Sequence, residues 1–380
     1  MKDDRHMKFV AEKDTLITGL QQVMNVVGTK LTMPILSNVL MEAIADRDQV
    51  ALSTTNLDMG ICCSVSAQVQ QSGRITLPVK KMASIVKALP GKEVTCTMEN
   101  DVWIRIESDS SHFKILGLAA DDFPALPQLE TEQKIEVNQM QLARMLKSIS
   151  YAQSRDENRY ILNGAYFLVE NSSLNFVATD GRRLALTSSE ISGCNIQKSV
   201  IVPAKMIAEL ERTLGIGENV RIFMTDKQIA FSIDVTSENN LGDTIYIVSK
   251  IVEGKYPNYK QVIPSSSDYR VRLDREQLLS VVQRIALVAD EKDYSVRLKF
   301  ENDSLETSAR SASYGEAREV LPITYKEKTV EIAFNPQFLI DPFKVLTSDE
   351  IFFEFKDEFS PGIIKTNDTF LCVIMPLRIN

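Results

Sequence analysis

Seven residues carry the side chains that most often act as nucleophiles, bases or soft metal ligands. They are Cys62, Cys63, Cys96, Cys194, Cys372, His6 and His112. No two cysteines are spaced as C-x-x-C, and their number is odd, so reduced buried thiols are the expectation. With two histidines the chain has little from which to build a zinc site or a histidine-based triad. It contains no G-x-x-x-x-G-K-[ST], G-x-G-x-x-G or H-E-x-x-H. Gly215-Ile216-Gly217 reads as a helix-ending turn rather than a phosphate cradle. No catalytic residue, metal or cofactor is therefore expected. The hairpin-like TDGRRLA (Thr179 to Ala185) is the most distinctive short motif, and by itself it signals only a turn at Asp180-Gly181.

The elements that must position any site come from a repeat. KFVAEKDTLITGLQQVMNVV at Lys8 is an extended segment running into an amphipathic helix. The outline returns as KIEVNQMQLARMLKSISYAQ at Lys134 and RVRLDREQLLSVVQRIALVA at Arg270. Leu16, Leu142 and Leu278 fall in register, as do Leu20, Leu146 and Val282 one turn later. Weaker echoes begin at Arg74, Ser199 and Thr329, aligning Pro78, Pro203 and Phe334 where strand gives way to helix. Pro342 predicts that the last of these helices is short, kinked or interrupted. Alternating runs at 173–191, 219–234 and 295–310 predict half-buried antiparallel strands. The expected fold is α+β, with three similar domains at 7–127, 134–260 and 269–380, each of two helices packed on antiparallel sheet.

At 380 residues the chain exceeds one ordinary core, and 44% apolar with 25% charged residues is a globular composition. No membrane-length apolar run or leader is evident, which points to the cytoplasm. The first six residues, MKDDRH, stand outside the repeat. The net charge is −8, yet the helices expected at 14–27, 80–89, 138–151, 204–214, 274–287 and 335–346 together carry +4, leaving −12 elsewhere. A local basic surface on an acidic protein suits loose phosphate contact, and equally suits ordinary solvated helix faces.

The motif set MKF at Met7, MPILSN at Met33, DFP at Asp122, RYILNG at Arg159, TDGRRLA at Thr179, KYPNY at Lys255, FNP at Phe334 and VIMPLR at Val373 resembles the bacterial DNA polymerase III beta subunits, the sliding clamps, over residues 7–380. The resemblance implies a head-to-tail homodimer closed into a six-domain ring around duplex DNA, without sequence reading. It implies a non-catalytic processivity factor that tethers the replicative polymerase, and that the clamp loader and repair proteins dock through short linear motifs. DNA contacts would fall at Lys30, Lys80, Lys87, Lys205 and Arg212 and on the loop carrying Arg155 and Tyr160. Each lysine alone is equally a solvated surface charge. Members often have two adjacent aromatics on that loop, where this chain has Tyr160 and Ile161.

The family's peptide pocket would be formed here by Leu162, Thr179, Gly181, Arg182, Arg183, Leu184, Pro257, Val262, Phe338, Val373, Ile374, Met375, Pro376, Leu377 and Arg378. Arg182 stands where some members have His, and Leu377 where Met is common. The dimer contact would pair Phe113 and Ile115 with Leu287 and Val288, the latter two being equally suited to capping a core. The competing readings are a nucleotide-handling enzyme, which lacks its motifs, and a monomeric peptide-binding scaffold, which predicts no hold on circular DNA.

Overall fold

A computed structural model describes residues 6–28, 33–129, 134–191, 196–289 and 294–378. The first third contains strand β1 (Lys8–Glu12), helix α1 (Lys13–Val23), strands β2 (Asn38–Ile44), β3 (Gln49–Thr55), β4 (Met59–Ser66), β5 (Gln68–Gln71) and β6 (Gly73–Pro78), helix α2 (Val79–Ala88), and strands β7 (Glu93–Asn100), β8 (Trp103–Ser108) and β9 (Ser111–Leu116). The second repeats the order with β10 (Lys134–Asn138), α3 (Gln139–Ser150), β11 (Gly164–Glu170), β12 (Ser173–Thr179), β13 (Arg183–Glu190), β14 (Lys198–Pro203), α4 (Ala204–Thr213), β15 (Asn219–Met224), β16 (Gln228–Asp234) and β17 (Thr244–Lys250). The third has β18 (Tyr269–Asp274), α5 (Arg275–Ala286), β19 (Val296–Glu301), β20 (Ser304–Ser311), β21 (Gly315–Pro322), β22 (Val330–Phe334), α6 (Pro336–Val345), β23 (Glu350–Phe355), β24 (Gly362–Lys365) and β25 (Leu371–Ile374).

The helical register expected from the repeat is present. Leu16, Leu20, Leu142, Leu146, Leu278 and Val282 are all fully buried. Three helix starts are capped by a side-chain oxygen: Asn138 accepts from the Gln141 amide at 3.2 Å, Asp274 from Gln277 at 2.8 Å and Asn335 from Gln337 at 2.9 Å. Helix α6 departs from expectation. It runs unbroken through Pro342 and is as long as α2 and α4, at 10 residues. Its apolar face, Leu339, Ile340, Pro342 and Phe343, is buried, and that packing offsets the hydrogen bond proline cannot donate.

The strands form antiparallel sheets that run from one third of the chain into the next. The order β10-β15-β16-β17-β4-β3-β2-β6 joins strands of the first two thirds, and β14-β11-β12-β13-β25-β24-β23-β18 joins the last two. The joints are ladders: Tyr246↔Cys62 to Ser249↔Met59 between β17 and β4, and Arg183↔Ile374 to Leu186↔Leu371 between β13 and β25. Two further sheets have the orders β5-β1-β7-β8-β9 and β21-β20-β19-β22, with β5 and β9 as the edges of the first and β21 and β22 as those of the second. The described residues of 1–143 and 208–251 form one compact unit, and those of 144–207 and 252–380 another. The middle third is divided between them, because β17 is laced to β4 in one and β13 to β25 in the other.

Candidate peptide site and nucleic-acid contacts

The Thr179–Arg183 turn is built by its own side chains. Asp180 Oδ1 accepts from the amides of Arg182 (2.9 Å) and Arg183 (3.1 Å). Thr179 Oγ1 accepts from Gly181 N at 3.1 Å and donates to the Arg183 carbonyl at 2.6 Å. Gly181 has φ +87°, which suits a residue without Cβ. The hairpin expected from Asp-Gly is present, with four residues between the last ladder pair Thr179↔Leu184.

Behind the turn lies an apolar cluster. Leu162, Leu184 and Val373 belong to it, with Val177, Ile201, Tyr256 and Tyr259, and with Tyr166 stacked on Tyr256 at 5.0 Å between ring centroids. Burial pushes the Tyr256 hydroxyl far above its ordinary pKa, so it stays neutral. The tail extends along the hairpin, with the Met375 amide donating to the Arg182 carbonyl at 2.9 Å. Met375 and Val262 are exposed apolar side chains, 43% and 48% accessible, Pro257 and Arg182 are exposed, and Phe338 and Pro376 are half-buried.

Ile374 is fully buried within the sheet. The Leu377 amide donates to Ala333 O at 2.8 Å, and Leu377 and Arg378 line a cleft of about 580 Å³ with Arg297, Glu331, Glu358 and Phe359.

Arg183 is the most constrained of the set, its side chain only 9% accessible. Nε donates to Asp180 Oδ2 (3.1 Å), Nη1 to Asp341 Oδ2 (2.6 Å) and Nη2 to the Tyr151 carbonyl (2.6 Å). The guanidinium also lies over the rings of Phe338 (4.7 Å) and Tyr151 (5.3 Å). Sequence reasoning missed Asp341 and Tyr151, and it assigned the loop Arg155 to Ile161 to DNA, where Arg159 Nη1 donates to the Asp180 carbonyl at 3.2 Å. It also passed over Tyr256 and Tyr259, although both were visible within KYPNY beside Pro257.

Lys80 and Lys87 are exposed on α2, seven residues apart and hence on one helix face. Lys205 is exposed at the second position of α4, as Lys80 is of α2. Arg155 and Tyr160 are exposed, Tyr160 to 58%, around the 3₁₀ segment Glu157–Leu162. Arg212 is committed elsewhere: it pairs with the Glu209 carboxylate and donates to Gln22 O at 2.6 Å, which leaves it less available to phosphate. Lys30 lies outside the described residues. Phe113 (37% accessible) and half-buried Ile115 lie on edge strand β9. Leu287 follows α5 at 83% accessible and is no core cap in this chain, while Val288 is half-buried.

The chemistry-bearing residues are otherwise accounted for. The amides of Gly215, Ile216 and Gly217 converge on Gln139 Oε1 at 3.0–3.2 Å, so that cradle is filled by the protein itself. Burial pushes the Cys96 and Cys372 thiols up to about 12 and Cys63 higher still. Cys194 lies outside the described residues. Among the described residues no group of three or more His, Cys, Asp or Glu could hold a metal ion, and no helix is long and apolar enough to cross a membrane.

Three family profiles of the DNA polymerase III beta subunit match the chain: the N-terminal domain at residues 7–127, the central domain at 136–258 and the C-terminal domain at 260–378. The beta sliding clamp of Salmonella typhimurium is 32% identical over 380 residues, covering 98% of this chain and all of that one. The crystal structure of the DNA polymerase sliding clamp from Bacillus subtilis superposes with a TM-score of 0.92 at 28% identity, covering 99% of this chain and 100% of that one. A sliding clamp from Pseudomonas aeruginosa, solved bound to griselimycin, gives 0.90 at 31% identity, over 98% and 100% of the respective chains.

Proposed function

The chain belongs to the DNA polymerase III beta subunit family, the non-catalytic sliding clamps that serve as polymerase processivity factors, and from that premise we propose how its surfaces do the work. Two copies close head to tail into a six-domain ring around duplex DNA, each contributing domains at 7–127, 134–260 and 269–380. The observation that supports this is the repeated joint. β4 takes β17 and β13 takes β25, while β9 and β21 are left as edges with exposed apolar side chains, Phe113 and Leu116 on one and Val320 on the other. A heterologous contact between those edges continues the pattern and closes after two copies.

Lys80, Lys87, Lys205 and Arg155 supply phosphate contacts that carry no sequence information, and Tyr160 offers a face to an unpaired base. Arg212 contributes less, and Lys30 completes the set on the family pattern. The groove beside the Thr179–Arg183 turn holds a short linear peptide from the replicative polymerase, the clamp loader and repair proteins. Its apolar floor takes apolar side chains, and the polar turn orients the backbone. The same groove takes griselimycin. Retention on nicked circular DNA, with loss when the circle is cut, is the expected outcome of a sizing-column assay. Equal retention on both forms rules out the ring.

A further inference from the structure

The hydrogen bonds that make the Thr179–Arg183 turn occur a second time. At the β3–β4 turn, Thr55 Oγ1 accepts from Leu57 N (3.1 Å) and donates to Met59 O (3.0 Å). Asn56 Oδ1 accepts from Asp58 N (3.0 Å) and Met59 N (2.8 Å). Leu57 has φ +74°, where the second turn has Gly181 at +87°. Each turn is followed by a strand that pairs with a distant one, with Met59 opposite Ser249 and Arg183 opposite Ile374. Met59 and Arg183 therefore occupy equivalent positions, and the turn does not need an arginine to form.

What the second turn adds is the closed network around that arginine. Asp180 and Asp341 both face the guanidinium, each 20% accessible, and the other Asp341 oxygen accepts from Gln337 Nε2. Asp341 and Phe338 lie one turn apart on α6, so the ion pair fixes the helix that carries the Phe338 ring. A largely buried pair with its remaining lone pairs satisfied imposes geometry more reliably than it adds stability.

We propose that Arg183 and Asp341 form a positioning lock that sets Phe338 as a wall of the peptide groove, acting through that ring rather than by touching the ligand. The proposal rests on the peptide-groove reading above. Griselimycin, titrated calorimetrically into the full-length dimer, is the probe. Arg183→Met, which installs the residue of the first turn, is expected to weaken binding at least tenfold. A 4-fluorophenylalanine at position 338 should show its fluorine resonance displaced in that variant. Combined with Phe338→Ala, Arg183→Met should cost no more than Phe338→Ala alone. Asp341→Asn, which keeps shape and removes charge, carries the same test should Arg183→Met not fold. Affinity within twofold of the unaltered protein, an unmoved fluorine resonance, or additive losses overturns the lock. Absence of uptake by the unaltered chain overturns the groove reading itself, and the lock with it.

Discussion

Gln139 shows how much one side chain can hold. It is fully buried, takes three consecutive amides on Oε1, and donates through Nε2 to Asn219 O (3.0 Å) and Asp234 O (2.7 Å). Gln139→Leu would orphan all five groups, and a loss of about 3 kcal/mol in urea unfolding is expected. The buried thiols give a second prediction. Cys96 and Cys372, held up at about 12, stay protonated in the folded chain while the unfolded chain ionises near pH 8.5. The unfolded state then binds fewer protons, so stability falls as pH rises from about 9 toward 12, by about 1.4 kcal/mol per pH unit for each thiol. Replacing either by Ala should flatten that slope. Burial of the thiols was legible in the sequence, whereas the role of Gln139 was not. A glutamine at a helix start looks like any polar residue, and its partners lie 76 to 95 positions away.

At the scale of elements the sequence was far more informative, since helix periodicity is local. The paired positions Leu16/Leu20, Leu142/Leu146 and Leu278/Val282 are buried as their spacing requires. Leu146→Ala should cost about 2–5 kcal/mol, measured by denaturant midpoint. Caps differ between copies in a testable way. Asp274→Ala removes a bond to Gln277 N and should cost about 1 kcal/mol, whereas Glu12→Ala, at a helix start with no side-chain cap, should cost little. Pro342 misled because propensity was read without the burial that overrides it. The pairing of β13 with β25 was invisible for another reason. Nothing local records a ladder closed across nearly half the chain, and it was the family motifs at Thr179 and Val373 that placed those stretches in one site.

For the whole molecule, exposed apolar side chains at β9 and after α5 predict where association fails. Phe113→Asp and Leu287→Asp should each yield monomer in sedimentation velocity and lose retention on circular DNA. Griselimycin binding should survive in both, because the groove residues all belong to the unit formed by 144–207 and 252–380, and neither change falls on the groove. Retained dimer in both variants places the contact elsewhere. The charge pattern also operates at this scale. An acidic protein with exposed lysines at matching places on α2 and α4 should hold DNA weakly and release it steeply with added salt.

The ladders of β17 on β4 and β13 on β25 have a mechanical consequence. A tether is useful in proportion to how little slack it has. Flexing at either joint means parting several rungs at once, so each behaves as a stiff plate rather than a pivot. Play is thereby driven out of the interior of each of the two compact units.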